Sequence, residues 1–307
     1  MTLTAVARTR AEVPAWRFYP VRVARTRRLS PSFVRVTLTG PELDELADNG
    51  FDQRVKLLLP APDGGFAHLP SGPSWHAAWR KLPEDRRPPI RTYTLRGVRP
   101  SQREVDLDMV LHGDSGPAGR FAAGAEPGDP VMLLGPDSRY PGVHGGLEFR
   151  PPEGHVGPTL LVGDETAVPA VLSILGALPA AAHGEALLEV PDAGDITDVA
   201  VPVGVQVTWL VRRADGSALP DAVRDAVGRL GLAGGPAPGE PAPADDEDGD
   251  EPLWDVPAQA RAAGVYAWLA GESTVITGLR RYLVRDLGVD RHGVAFMGYW
   301  KRGRSEC

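Results

Sequence analysis

Between residues 17 and about 148, apolar and polar positions alternate in short runs. RFYPVRVARTRRLS, SFVRVTLTG, RVKLLLP, IRTYTLRGV, EVDLDMVLHG and PVMLLGP each read as a strand with one face toward a core. Turn residues separate them, and strands at this spacing predict a small antiparallel barrel. Residues 66–89 interrupt the series with a long loop carrying Trp75 and Trp79.

From about residue 156 the pattern changes. GPTLLVG is a near-continuous apolar run, as expected of a strand buried on both faces. The helical stretch AVPAVLSILGAL follows, then ALLEV, the turn PDAGD, VQVTWLV, the helix DAVRDAVGRLG, YAWLAG and a helix from about 273 to 287. Strands alternating with helices predict a parallel sheet. The expected architecture is therefore a β domain over 17–150 and an α/β domain over 156–307. The turn-rich LEFRPPEGHVGP (147–158) is the hinge between them, and no internal repeat is visible.

Composition changes this picture in a few places. The net charge of −7 comes from one segment, 234–252, which holds seven acidic residues and no basic ones. That Pro/Gly/Ala-rich segment has nothing to bury and reads as a disordered surface loop. The remainder is balanced, which argues against a nucleic-acid binder. Of 33 basic residues only Lys56, Lys81 and Lys301 are lysines, so each is informative. Cys307 is the only cysteine, which excludes internal disulfides and Cys-based metal sites. The N-terminal stretch lacks a long apolar run, and 167–182 is too short and too Pro-broken to span a bilayer. A cytoplasmic protein is expected.

Five motifs carry candidate chemistry. RTYTLR (91–96), as a strand, sets Arg91, Tyr93 and Leu95 on one face and Thr92, Thr94 and Arg96 on the other. An arginine beside a tyrosine suits a phosphate with a flat ring attached; an edge strand with solvated arginines gives the same pattern. HGDSGPAGRFAAGA (112–125) follows a strand and opens a helix at Pro117, an arrangement suited to pyrophosphate, or a plain Gly-rich loop. LLVGDETAVPAV (160–171) outlines a βα phosphate turn at Gly163 and Thr166, although Asp164 and Glu165 oppose a phosphate. Neither G-x-G-x-x-G nor a P-loop occurs. YAWLAGE (266–272) ends a buried strand at a sheet edge where ligands bind in open α/β sheets. FMGYWKRG (296–303) joins two aromatics to Lys301 and Arg302, to cover a flat cofactor or to pack as a surface tail.

Together with QRVKLLLP (53–60), and in this order, these motifs resemble the siderophore-interacting protein family, flavin-dependent ferric-siderophore reductases with a ferredoxin reductase-like fold. The resemblance runs from about Phe18 to Gly303. It implies an FAD-binding barrel and an NAD(P)H-binding α/β domain. It implies Arg91 on the FAD pyrophosphate, Tyr93 against the isoalloxazine, and Thr94, with Thr92, near its edge. His112, Gly113, Gly116, Pro117 and Ala118 match the second FAD segment. Tyr299 and Trp300 match aromatics near the flavin. Gly163, Asp164, Glu165 and Thr166, with Ala270, Gly271 and Glu272, match the nicotinamide-nucleotide side, Thr166 lying closest to the ring. Lys56, Lys301 and Arg302, and more weakly Arg139, match a basic pocket for the ferric siderophore. No side-chain acid, base or nucleophile is expected. Two alternatives stand beside this one: a general flavin reductase linked to NAD(P)H or a ferredoxin, and a non-catalytic siderophore-binding module. The acidic segment departs from the family pattern.

Overall fold

The computed structural model describes residues 13–111, 116–232, 254–255 and 264–303. The acidic segment 234–252, His112 and Gly113 lie outside these. The six strands expected in the first half all form: β1 (Trp16–Ser30), β2 (Phe33–Thr39), β3 (Arg54–Leu58), β4 (Ile90–Arg99), β5 (Glu104–Val110) and β6 (Pro130–Pro136). They close into a barrel in the order β1-β2-β5-β4-β3-β6, with every pair antiparallel. Inward positions such as Tyr19, Val36, Leu38, Val55, Leu57, Leu107 and Leu133 fill it. The long loop contributes a short helix, α1 (Trp75–Arg80), and α2 (Gly116–Gly124) follows β5.

The second half forms β7 (Thr159–Gly163), α3 (Val168–Ala177), β8 (His183–Val190), β9 (Gly204–Val211), α4 (Leu219–Arg229), β10 (Trp254–Asp255), β11 (Tyr266–Glu272), α5 (Ser273–Arg281) and β12 (Val294–Trp300). The sheet order is β10-β12-β11-β7-β8-β9, parallel except for β10. The C-terminal aromatic stretch, open from sequence between a ligand cover and a surface tail, is the parallel strand β12. Its residues Val294–Met297 are buried, because β11 and β10 flank it on both edges. One face of the sheet packs on α3 and meets Phe33 and Phe149 from the barrel side. The other packs on α4 and α5.

The two halves are joined by polar contacts. Asp52 is fully buried and accepts bonds from the backbone N–H of Glu148 (3.1 Å) and Phe149 (3.0 Å), and from the Trp268 indole of β11 (3.2 Å). Arg96 of β4 pairs with Asp108 and donates to Ser173 of α3 at 2.5 Å. Asp195 accepts from Ser30 and from the backbone N–H of Ser32. Among the described residues no helix is long and apolar enough to cross a membrane.

Candidate functional site

Two places in the fold bring the predicted residues together. The first is a seam in the barrel. The β4–β3 ladder continues to Ile90↔Leu58 and the β5–β2 ladder to Val110↔Phe33. Between β4 and β5, however, pairing among the described residues ends at Leu95↔Leu107. The strands part there, and the β4 backbone from 91 to 94 has no ladder partner on that side among the described residues. An exposed strand edge offers N–H and C=O groups to a ligand. A register slip between Leu95 and Gly97 marks the divergence.

The RTYT side chains sit at this seam. Arg91 and Tyr93 lie opposite the inward-facing Leu57 and Val55, and Tyr93 packs on the rim of the barrel core. Among the described residues the Arg91 guanidinium donates only to the Ile90 carbonyl, at 2.8 Å, and meets no carboxylate. Other described arginines, such as Arg35, Arg54, Arg99 and Arg212, are paired with acids, so a cation held this way suits an anionic ligand. Thr94 is buried, whereas Thr92 is exposed and accepts a bond from the Lys56 ammonium at 2.6 Å. Past the end of β5, α2 opens at Gly116 with Pro117 next to it, and Ala118 and Phe121 also pack on the barrel core. Seam, guanidinium, aromatic and helix start together fit the pyrophosphate and flat ring of FAD.

Lys56 has neighbours that the sequence did not suggest. His76, on α1, is pushed below the usual histidine range by burial and then by the positive charges of Arg80 and Lys56. The basic cluster at β3 is therefore built with α1, whose Trp75 packs edge-on against Phe18 at 5.0 Å. The structure places the other proposed basic residues elsewhere. Arg139 is engaged by Asp137 and Glu45, so its charge is already matched. Arg302 lines the cleft described next, and Lys301 is exposed.

The second place is a cleft of about 300 Å³ at the C-terminal ends of the parallel strands, bordered by Asp164, Glu189, Arg212, Glu272, Trp300 and Arg302 among others. The strand order reverses here, since β7 lies between β8 and β11 while the chain runs β7-β8-β9 before crossing back. Such switch points are where open α/β sheets bind ligands. Asp164 occupies the centre. Its carboxylate accepts from the Thr166 backbone N–H (2.9 Å) and hydroxyl (2.6 Å), the Glu272 backbone N–H (2.8 Å) and the Trp300 indole (2.7 Å). Burial, and then the charge of Glu165, push its pKa up to about 6.

Two glycines make this packing feasible. A Cβ at Gly271 would meet the Asp164 carboxylate at 2.6 Å, and its φ of +148° disfavours other residues. A Cβ at Gly163 would meet Ala167 at 2.7 Å, so β7 and α3 could not pack this closely. Asp164 and Glu165, which opposed a phosphate in the sequence, are thus both internally engaged. Glu165 pairs with Arg212, and Glu272 caps α5 by accepting from the backbone N–H groups of Thr274 and Val275. Burial works against the Arg212 charge, but the bonds to Glu165 and Glu189 hold its pKa above the ordinary value.

Trp300 falls in this cleft, while its neighbour Tyr299 faces the barrel side of the sheet. Tyr299 stacks on Trp254 at 6.1 Å, and Arg54 lies over the Trp254 ring at 4.2 Å. Arg54 is the cross-strand partner of Thr94, so this stack approaches the seam. The Tyr299 hydroxyl is buried and has no hydrogen-bond partner among the described residues. Trp254 and Arg54 were not legible as site residues, because only the fold brings β10 beside β12.

A closed six-stranded antiparallel barrel followed by a parallel sheet is a fold shared with solved ferredoxin reductase-like proteins. Residues 22–140 match the model of the siderophore-interacting FAD-binding domain, and residues 157–303 that of the siderophore-interacting protein. The chain belongs to the siderophore-interacting protein family. It is 35% identical to an uncharacterized protein of Mycobacterium bovis, over 92% of this chain and 90% of that one. It is 28% identical to the ferric vibriobactin reductase ViuB of Vibrio cholerae, over 94% and 92% respectively. A solved siderophore utilization protein from T. fusca superposes with a TM-score of 0.69 at 28% identity, covering 96% of each chain.

Proposed function

We propose that this protein reduces ferric siderophores with electrons from NAD(P)H, through FAD held at the barrel seam, and so releases iron in the cytoplasm. The observation that carries the reading is the parted β4–β5 ladder at RTYT, with Arg91 beside it meeting no carboxylate among the described residues. The ferric vibriobactin reductase relative supports the choice of substrate.

A siderophore holds Fe(III) in hard, mostly anionic oxygen ligands and holds Fe(II) less tightly, so reduction is a release step. FAD held at the seam would supply the conversion of a two-electron hydride donor into single-electron transfer. Over one cycle NAD(P)H becomes NAD(P)⁺, two Fe(III) become two Fe(II), and one proton is released. The chain supplies position and charge. Arg91 would pair with the pyrophosphate, Tyr93 and Thr94 would line the ring, and Lys56 with Arg80, joined by His76 on acidification, would attract an anionic chelate. The Arg96–Ser173 contact holds α3 on β4.

An anaerobic absorbance titration tests this reading. The purified protein should show an oxidised-flavin spectrum that a reduced nicotinamide nucleotide bleaches and a ferric siderophore restores. A flavin that bleaches only with reduced ferredoxin would replace the donor. A colourless protein that takes up no FAD would overturn the reading.

A further inference from the structure

In a sheet of this order, the ribose of the adenosine half lies by the C-terminal end of the strand next to the first. A carboxylate there accepts a free 2′-hydroxyl, whereas a free arginine accepts a 2′-phosphate. That strand is β8, and the arginine beside it is Arg212, the first residue after β9. Arg212 gives three of its five N–H groups to two carboxylates. Its Nε donates to Glu189 at 2.9 Å, one Nη donates to Glu165 at 2.8 Å, and the other Nη donates to the second Glu165 oxygen. Both carboxylates are 1% exposed, so pulling Arg212 away would leave buried, unpaired charge.

The rest of the loop is committed as well. The second oxygen of Glu189 accepts from the Ser217 hydroxyl (2.9 Å) and the Ala218 backbone N–H (2.5 Å). The neighbouring Arg213 pairs with Asp221. Across the cleft, Asp164 and Glu272 add negative charge, and Arg302 is the remaining cation among the lining residues. Among the described lining residues, a 2′-phosphate would meet more carboxylates than guanidiniums.

We infer that the cleft takes a dinucleotide with a free 2′-hydroxyl and rejects its 2′-phosphorylated counterpart, so that NADH rather than NADPH is the hydride donor. Glu165 and Glu189 set this preference as positioning residues, by holding Arg212 away from the ligand. The inference rests on the reading above that this cleft receives the electron donor.

The test uses the FAD-loaded protein under anaerobic conditions, with flavin bleaching followed against each nucleotide. NADH should exceed NADPH in kcat/KM by about tenfold or more, the difference lying in KM. As competitors of NADH, 5′-ADP should bind about tenfold more tightly than 2′,5′-ADP. Glu165→Gln, which frees one side of Arg212, should narrow the nucleotide ratio at least about threefold by lowering KM for NADPH. Equal use of both nucleotides, or preference for NADPH and 2′,5′-ADP, overturns the inference and leaves the reductase reading intact. An unchanged ratio in a folded Glu165→Gln protein overturns the role of Glu165. Should that variant not fold, the wild-type ratio and the two competitors still decide. If neither nucleotide bleaches a flavin that dithionite reduces and a ferric siderophore reoxidises, the donor reading fails and the inference with it.

Discussion

The barrel seam and the sheet cleft treat their polar groups in opposite ways. At the seam, β4 leaves its ladder at Leu95 and Arg91 donates only to a carbonyl among the described residues. At the cleft, Asp164 collects bonds from Thr166, Glu272 and Trp300, Glu165 and Glu189 share Arg212, and Glu272 caps α5. Among the described residues the seam leaves strand-edge groups without a ladder partner, whereas the cleft's carboxylates all have donors. Unmet polar groups cost stability, so the seam favours a ligand that stays. A cleft already satisfied gains less from occupation and releases its ligand readily. The contrast matches a resident cofactor in one place and an exchanging donor in the other.

The strongest way to break this contrast is to uncouple the two regions. Asp52→Ala removes the acceptor for the Glu148 and Phe149 backbone N–H groups and for the Trp268 indole. Each buried donor left without a partner costs about 1–3 kcal/mol, so a loss on the order of 3–5 kcal/mol is expected. Urea unfolding measures it, and a loss below about 1 kcal/mol would show that Asp52 does not join the halves. Next is the resident ligand. Arg91→Ala should weaken FAD binding about tenfold to a hundredfold, the range for a lost charged hydrogen bond. Full flavin stoichiometry after gel filtration of this variant would remove Arg91 from the pyrophosphate site.

A smaller effect is expected at the basic cluster beside the seam. Lys56→Ala should weaken an anionic ferric siderophore roughly fivefold, the scale of one exposed charge pair, with flavin reduction unchanged. His76 then supplies the remaining pH dependence. Without Lys56, burial and Arg80 still lower its pKa, so it gains charge on acidification and chelate binding by the variant should tighten as pH falls through that region. Equal affinity in wild type and variant at neutral pH would count against a basic pocket here.

These effects also show what the sequence carried. Barrel strands were legible because alternation records one buried face, and β7 and β11 because their apolar runs record two. β12 was less so, since its last residues, Tyr299 and Trp300, are aromatic and half-buried and run into Lys301 and Arg302. RTYT was legible as a local pattern. The partnership of Glu165 with Arg212 was not, because the two residues lie 47 positions apart and meet only across strand ends. The same holds for Lys56 with α1 and for Trp254 with Tyr299. The donors to Asp164 were not legible either, since they come from Thr166, Glu272 and Trp300, which only the fold brings together.

The finest test of the contrast is its dependence on pH. In the barrel, burial pushes Asp106 up, but bonds from Arg99 and Thr37 bring it below its ordinary value. Its contribution to stability is present above the unfolded pKa and is lost as pH falls through the folded one. Asp164 behaves in the opposite sense. Its ordinary value is 3.8, and in the folded protein it is raised to about 6 by burial and Glu165. Between those values the folded chain holds a proton that the unfolded chain has lost. Folding is therefore favoured at the acid end of that window, and the advantage disappears as pH rises to about 6. Because the Trp300 indole donates to Asp164, its N–H resonance reports this ionisation directly. It should titrate with a midpoint near 6, and Asp164→Asn should abolish the step. An indole resonance that stays flat across this range would mean that Asp164 remains ionised, its donors outweighing burial, and that the cleft faces its ligand with a full negative charge.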